Sequence, residues 1–228
     1  MLLLVRKKPA AVVPPIACAY TLDNATGPMF GQSAWPTFDA GQQSAAFACD
    51  AGTTATYNAI PTVTAGPTLS GVVPLTGSRV YYFELGVTLP ATAATPGTLH
   101  VQALLLNADT FGTSAVRMSA ANASGKELTF EEGAPEAKES LASDALVDYR
   151  VGVYVASATG KVGVVGGADY GYSIAAPLAG ASGFVIGLGG QQATPDETGT
   201  CGVRLYTSAA DFTRAPPAGA YDICGNLI

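Results

Sequence analysis

Alternation of apolar and polar residues with a period of two is the main pattern along this chain, and it predicts β-strands. The clearest run is RVYYFELGVT at 79–88. Two later runs of β-branched and aromatic residues, at 149–157 and 183–190, are likewise bounded by Gly, Pro or Ser. Each run is too short for a core helix, so we expect all three to be central strands of a sandwich. In the first run, the face assigned to the core carries Tyr81, Phe83, Leu85 and Val87.

Shorter segments complete the predicted strand order. We expect 98–106 to be the neighbour of 79–88, the segments within 45–60 to form a hairpin across Ala51-Gly52, and 149–157 to pair with 161–165. One helix of about three turns is expected near 135–146.

The predicted fold class is all-β: a two-sheet antiparallel β-sandwich of jelly-roll type. It comprises an extended arm at 1–15 and a single domain at 16–228, in which the acidic passage at 120–148 is interpreted as a solvated excursion.

Composition narrows the classes of partner. Charged residues make up 12 % of the 228 residues, and a surface with so few charges is common in proteins that pack against copies of themselves or against neighbours. A secreted β protein fits the same composition. The net charge of −6 repels phosphate backbones and anionic lipids, so we expect neither nucleic acid nor membrane as a partner. No stretch of the sequence approaches the ~20 apolar residues that span a bilayer.

Four cysteines, Cys18, Cys49, Cys201 and Cys224, include no C-x-x-C pair and accompany a single histidine, which excludes a zinc site of ordinary spacing. Their even number fits disulfides in an oxidising setting, and four buried thiols are the alternative. If disulfides form, we expect Cys201 to pair with Cys224, because both occupy the last predicted strands, and Cys18 to pair with Cys49.

The N-terminal segment MLLLVRKKPAAVVPP at 1–15 carries its basic residues after its apolar run, which is the reverse of a signal peptide. Its prolines prevent a helix, so we predict an extended arm with a reach of about 50 Å at ~3.3 Å per residue. The arm either lies along its own domain or docks on a neighbouring subunit, and we favour docking. Four aliphatic residues would enter a groove and three cations would face its acidic rim: Leu2, Leu3, Leu4, Val5, Arg6, Lys7 and Lys8.

No motif in the sequence predicts a catalytic centre. Serine hydrolases show G-x-S-x-G and need a histidine base, whereas this chain lacks the motif and has only His100. Glycoside hydrolysis needs two facing carboxylates, and Glu84 in the central strand is the candidate. We prefer to interpret Glu84 as a residue that hydrogen-bonds a neighbouring loop, and Trp35 as a loop aromatic at one end of the core. We therefore expect no catalytic residue, no cofactor and no metal site.

The order of motifs from Leu69 onward resembles the SPRY family of concanavalin-like sandwiches. The similar segments are SRVYYFELGV at 78–87, RVGVYVASATGKVGVVGGADYGYS at 150–173 and GFVIGLGG at 183–190, and together they cover about half of the chain. Where that family finishes with a strand and an Asn-Gly hairpin, this chain has VRLYTSAADF at 203–212. The resemblance implies a bent sandwich that binds protein or glycan through its loops and performs no chemistry. Related sandwiches also occur in bacteriophage structural proteins.

The leading functional hypothesis is a non-enzymatic structural component of a virus particle, located in the virion as a phage head decoration, fibre or tail accessory protein. It would assemble through its arm and its sheet surfaces with other virion proteins or with copies of itself. The alternative is a recognition module whose loops bind a glycan or protein on a host surface. A glycoside-active sandwich enzyme is a third hypothesis.

Overall fold

The computed structural model describes residues 20, 22, 33–34, 37–39, 42–49, 55–59, 71–89, 98–109, 116–122, 126–131, 137–141, 146–165, 172–174, 178–193 and 199–228. These residues form sixteen strands and a single 3₁₀ turn, Ala209–Asp211, and this part of the chain holds no helix long and apolar enough to cross a membrane. The predicted all-β fold class is confirmed. The strands are β1 Ser33–Ala34, β2 Thr37–Asp39, β3 Ser44–Cys49, β4 Ala55–Ala59, β5 Val73–Pro74, β6 Val80–Leu89, β7 Thr98–Asn107, β8 Val116–Asn122, β9 Lys126–Glu131, β10 Ala137–Leu141, β11 Leu146–Ala156, β12 Lys161–Val165, β13 Tyr172–Ile174, β14 Gly183–Ala193, β15 Gly199–Tyr206 and β16 Tyr221–Asp222.

The strands form two sheets of eight. Sheet I has the order β1-β4-β14-β7-β8-β9-β10, with β5 also paired to β14. Sheet II has the order β13-β12-β11-β6-β15-β3-β2, with β16 also paired to β6. Among the described strands, β1 with β4 and β16 with β6 are the parallel pairs, and the other pairs are antiparallel. The three runs predicted to be central strands are β6 and β11 in sheet II and β14 in sheet I.

The core lies between the two sheets. Alternation along β6 places Tyr81, Phe83 and Leu85 on the core face, where all three are buried, as predicted. The Tyr81 ring meets the Phe184 ring of β14 edge-on at 6.1 Å, which joins the two sheets. Burying each large apolar side chain of this kind contributes about 1.5 to 3 kcal/mol. The sandwich is therefore held together by the inward faces of its central strands.

Tyr20 closes a gap in the hydrogen bonding of sheet I. One edge of β14 pairs with β5 at Phe184 and with β4 from Leu188 onward, which leaves Ile186 without a strand partner on that side. The Tyr20 hydroxyl takes the missing place, since it accepts from the Ile186 amide at 2.7 Å and donates to the Ile186 carbonyl at 3.1 Å. Burial raises the pKa of Tyr20 far above its usual range, so the hydroxyl keeps the proton that it donates.

Tyr20 and Tyr81 offer a matched pair of hydroxyl deletions, because the buried Tyr81 hydroxyl has no hydrogen-bond partner in the described part of the chain. We expect Tyr20→Phe to lower the free energy of unfolding by about 1 to 3 kcal/mol, since it leaves the amide and carbonyl of Ile186 unpaired. Tyr81→Phe should leave it unchanged or raise it by about 1 kcal/mol. Urea denaturation of both variants checks this. A greater loss for Tyr81→Phe than for Tyr20→Phe would contradict the prediction.

Several predicted partners are wrong, although the strands themselves exist. The strand at 98–106 is not the neighbour of β6, because β7 lies between β14 and β8 in sheet I. The predicted hairpin within 45–60 does not form, since β3 belongs to sheet II and β4 to sheet I. Alternation is the same whichever sheet a strand joins, so it cannot identify the partner. The hairpin of β11 with β12 is confirmed.

The helix predicted near 135–146 is also wrong. Residues Ala137–Leu141 form β10, which pairs antiparallel with β9 and extends sheet I. The backbone of β9 would otherwise present unpaired donors and acceptors at the sheet edge, and pairing with β10 satisfies them. Part of the passage interpreted as a solvated excursion at 120–148 is therefore sheet.

Cys224 forms a disulfide, so the buried-thiol alternative does not hold for this residue. The register argues against Cys201 as its partner. Cys201 precedes Gly202, which lies opposite Thr88, whereas Cys224 follows Asp222, which lies opposite Tyr82. Thr88 and Tyr82 are about 20 Å apart along β6 at ~3.4 Å per residue. The two residues from Asp222 to Cys224 cannot reduce that distance to the ~7 Å between Cα atoms that a disulfide allows. The predicted pairing of Cys201 with Cys224 is therefore wrong.

Cys49 lies farther still from Cys224, because it pairs with Gly199 of β15. We therefore predict that Cys224 pairs with Cys18, which lies outside the described residues. This replaces the earlier expectation that Cys18 pairs with Cys49. Peptide mapping of the unreduced protein should yield a linked fragment that contains Cys18 and Cys224. A fragment that joins Cys224 to Cys201 or to Cys49 would contradict the register argument.

Candidate functional site

The outer face of sheet II, opposite the core, carries a set of aligned polar residues. Strand register places Arg204, Gly86 and Arg150 in one row across β15, β6 and β11. The adjacent row holds Tyr206, Glu84 and Gly152 on the same three strands. Register partners share a face of the sheet, so all six residues lie on the same side. The glycines leave space beside the long side chains.

A loop of residues 207–220 lies over this face. β15 pairs with β6 as far as Tyr206, which is opposite Glu84. β16 then pairs with the same edge of β6 at Tyr221, opposite Tyr81, and runs parallel to it. Between these strands the chain leaves the sheet, forms the 3₁₀ turn and returns. The Phe212 ring of this loop packs edge-on against the Tyr82 ring, with 4.9 Å between the centroids.

Glu84 attaches this loop to the sheet. Its side chain is fully buried, and its Oε1 accepts from the amides of Thr213 at 2.9 Å and Arg214 at 2.6 Å. Its Oε2 accepts from the Thr213 amide at 3.0 Å, from the Thr213 hydroxyl at 3.2 Å and from Arg150 Nη1 at 3.3 Å. The Tyr82 hydroxyl donates to Oε1 at 3.1 Å. A buried carboxylate is stable only when its oxygens are paired in this way.

The Tyr82 hydroxyl is part of the same network. Burial, followed by the negative charge of Glu84 and the hydrogen bond to it, raises the pKa of Tyr82 well above its usual range. The phenol therefore stays protonated and remains a donor to the carboxylate. Because the Glu84 oxygens are surrounded by protein donors and have no accessible surface, neither oxygen is placed to meet a substrate.

Beside the loop, two arginines stack on one phenol ring, and a third bonds the backbone of one of them; we call this set, Arg150, Arg204, Tyr206 and Arg214, the arginine–tyrosine cluster. The guanidinium carbon of Arg150 lies 3.2 Å from the Tyr206 ring centroid, and that of Arg204 lies 4.6 Å from it. Arg214 donates through Nε and Nη2 to the Arg150 carbonyl, at 3.3 and 3.2 Å. Cations stacked on an aromatic face are stabilised by the ring quadrupole.

The arginines of the cluster differ in how their charges are balanced. Arg150 forms an ion pair with Glu84 at 3.3 Å and also donates to the Asp211 carbonyl at 3.1 Å. Arg204 has no carboxylate partner among the described residues; its Nη2 donates to the Gln42 side-chain oxygen at 2.8 Å. Its Nε is buried and has no acceptor within that same part of the chain. Arg204 therefore lacks, among the described residues, the counter-charge that Glu84 gives to Arg150.

Tyr154 lies on the same face, one row beyond Glu84, where it pairs with Tyr82. Its ring lies across Gly163 of β12, so closely that a Cβ at this glycine would come within 2.1 Å of the phenol oxygen. Only glycine at 163 allows the half-buried ring to lie flat there. The outer face thus carries a further aromatic group on the side of β6 away from Tyr206.

The interpretation of Glu84 as a residue that hydrogen-bonds a neighbouring loop is confirmed. His100 belongs to β7 in sheet I, opposite Gln191 and Ala121, and so to the other sheet from Glu84. Trp35 and the arm residues at 1–15 lie outside the described residues. In the described part of the chain, no group of three or more His, Cys, Asp or Glu side chains is placed to hold a metal ion.

The arginine–tyrosine cluster was not predicted from the sequence. One signal was present, since VRLY at 203–206 alternates and places Arg204 and Tyr206 on one face. Polar residues on the outer positions of a strand are ordinary, however, and nothing in the sequence indicates that Arg150 contacts the Tyr206 ring or that Arg214 contacts Arg150. The cluster depends on the strand order β11-β6-β15 and on the return of the loop.

No protein-family model matches the chain, and no curated protein matches it in sequence. Among solved structures, it is similar to the GlcNAcα1-4Gal-releasing endo-β-galactosidase from Clostridium perfringens, at 9 % identity over 89 % of this chain and 66 % of that chain, with a TM-score of 0.48. It is also similar to the Bacillus licheniformis β-glucanase, at 10 % identity over 83 % and 87 % of the two chains, with a TM-score of 0.41. A third is a family 7 alginate lyase, A1-II', at 13 % identity over 72 % and 76 %, with a TM-score of 0.40.

The expectation of a non-enzymatic protein is corrected by these similar structures, which are named as an endo-β-galactosidase, a β-glucanase and an alginate lyase. We withdraw that expectation. At identities of 9 to 13 % the likeness concerns the fold, and the substrates named are those of the other proteins. By its strand order, the chain is a two-sheet jelly-roll β-sandwich.

Proposed function

We propose that the protein is a polysaccharide-active β-sandwich that holds a glycan chain against the arginine–tyrosine cluster on the outer face of sheet II. The observation that carries the proposal is the stacking of Arg150 and Arg204 on Tyr206, with Arg214 bonded to the Arg150 carbonyl, in a chain with only 11 Lys and Arg residues and a net charge of −6. Guanidinium groups are planar, carry several donors and match the oxygen-rich surface of a sugar polymer.

The proposal is tested by affinity electrophoresis of the protein through gels that contain neutral or acidic polysaccharides, together with an assay for newly formed chain ends. We expect at least one polysaccharide to retard the protein, and Arg204→Ala to weaken that retardation by about tenfold, the loss of one charged hydrogen bond. Arg79→Ala is the matched control, because Arg79 also stacks on a tyrosine, Tyr221, at 4.7 Å but lies near the other end of β6. Retardation that both variants weaken equally, or none at all, would refute the proposal.

Location in a virus particle and a SPRY-like relationship stay predictions. The arm at 1–15 that motivates assembly lies outside the described residues, and the cluster described above does not depend on it. The recognition of a surface glycan, which was the alternative hypothesis, is closer to the present proposal, although here the binding face is a sheet and its overlying loop. Sedimentation analysis of the full chain, with and without residues 1–15, tests assembly separately from glycan binding.

A further inference from the structure

We propose that Arg204 receives the carboxylate or sulfate group of an acidic polysaccharide, and that the Gln42 carboxamide occupies half of that anion's place in this structure. The inference rests on the proposed function and specifies its ligand class. The Arg204 guanidinium group is incompletely hydrogen-bonded within the described residues.

The side edge of a guanidinium group, formed by Nε and Nη2, presents two parallel N–H donors and matches the two oxygens of one carboxylate. On Arg204, Nη2 has an acceptor in the Gln42 oxygen at 2.8 Å, while the adjacent Nε has none among the described residues. A carboxamide has a single oxygen, so it satisfies one donor and leaves the other unpaired. A carboxylate or sulfate in the same place would satisfy both.

The ion pairing around Arg204 also favours an external anion. The row across sheet II runs from Asp39 through Ser44 to Arg204, so Asp39 is two strands away. The Asp39 carboxylate accepts a hydrogen bond from the backbone amide of Gln42 at 3.0 Å and stabilises the turn between β2 and β3. Glu84 is engaged by Arg150 and the loop amides. The Arg204 charge is therefore free of a protein carboxylate in the described part of the chain, and an external anion would supply the missing one.

An anion could readily displace the Gln42 side chain from Arg204. Gln42 is exposed, lies in the turn before β3 and is attached to Arg204 by a single hydrogen bond to an uncharged acceptor. A carboxylate or sulfate would accept from Nε as well as from Nη2 and would add the counter-charge that the carboxamide lacks. Binding would then exchange the carboxamide for the anion without movement of the strands, and the ring of Tyr206 would keep the guanidinium in place.

The test uses affinity electrophoresis of the full chain at constant ionic strength with five polymers: polygalacturonate, its fully methyl-esterified form, dextran sulfate, dextran and polyglutamate. We expect an anionic polymer to bind at least tenfold more tightly than its neutral counterpart. Comparison of polygalacturonate with dextran sulfate assigns the anion as carboxylate or sulfate. Arg204→Lys should weaken this binding about tenfold, because an ammonium group cannot form the paired bonds.

Gln42→Glu is the decisive variant, since it places a carboxylate of the protein's own on the Arg204 edge at an exposed position where folding is preserved. We expect it to weaken binding of the anionic polymer at least tenfold, while Gln42→Ala leaves binding unchanged or tighter. Equal binding of acidic and neutral polymers, unaffected by Gln42→Glu, would overturn this inference and leave the proposed function standing. Absence of binding to every polysaccharide would overturn both, and equal binding of polyglutamate would assign the site to acidic proteins instead.

Discussion

Replacing Glu84 by Gln is expected to lower the free energy of unfolding by about 3 to 5 kcal/mol, the cost of breaking a buried ion pair on one side. Both carboxylate oxygens accept N–H or O–H donors, so the amide group of Gln would face donors whichever way it is turned. Arg150, whose side chain is 15 % exposed, would also lose its counter-charge. Urea denaturation followed by fluorescence measures the loss.

Thr213→Ala is the matched control for this variant. Thr213 is exposed, and the substitution removes its hydroxyl, which donates to the Glu84 carboxylate at 3.2 Å. The hydrogen bond from the Thr213 backbone amide to the carboxylate is kept. We expect a loss below about 1 kcal/mol, the net value of one ordinary hydrogen bond. Limited proteolysis adds a local measurement, because Glu84→Gln should expose residues 207–220 to cleavage before the sandwich unfolds. Similar stabilities for Glu84→Gln and Thr213→Ala would show that the carboxylate does not anchor the loop.

Replacing Gly160 by Ala is expected to lower the free energy of unfolding by about 2 to 5 kcal/mol, the sum of a left-handed backbone penalty and overpacking. Gly160 ends the turn between β11 and β12 with φ at +66°, and a Cβ there would lie 2.4 Å from the Ala179 amide nitrogen and 2.5 Å from the Leu178 carbonyl carbon. These are backbone atoms, so no side-chain rotation relieves the clash. The residue therefore holds a turn of sheet II against the turn that precedes β14.

Gly180→Ala separates the two contributions. Gly180 has a similar φ of +77°, but a Cβ at this position would meet nothing within 4 Å. The control should therefore cost only the conformational penalty of about 1 to 2 kcal/mol. The difference in melting temperature between the two variants measures the clash. If Gly180→Ala is as destabilising as Gly160→Ala, the close approach of the two turns does not contribute.

The sequence predicts the strands of this fold better than it predicts their partners. β6, β11, β12 and β14 are recognisable because β-branched and aromatic residues alternate between Gly, Pro and Ser boundaries. The sheet to which β3, β4 or β7 belongs is decided by long-range packing, which leaves no local pattern. The segment at 137–141 shows the same limit, since good helix-forming residues there pair as an edge strand because β9 needs a partner.

The candidate site was only partly predictable, because some of its contacts, like the strand partners, depend on long-range packing. Glu84 was recognisable because a carboxylate is rarely placed in the middle of an apolar strand, and its need for donors implies a nearby loop. Arg204 and Tyr206 occupy ordinary outer positions on a strand, and Arg214 occupies a loop. The contact of Arg214 with Arg150 depends on a 14-residue interval between β15 and β16 whose path the sequence does not indicate.

That interval has a consequence for engineering. β15 and β16 each pair directly with β6, and Glu84 holds the loop at Thr213 and Arg214. The pairing of the strands therefore does not fix the number of residues between Arg214 and β16. Ala215 and Ala218 are exposed in this stretch. A reporter peptide grafted after Ala215 would stand on the solvent side of the outer face, with both strands and the carboxylate anchor left intact.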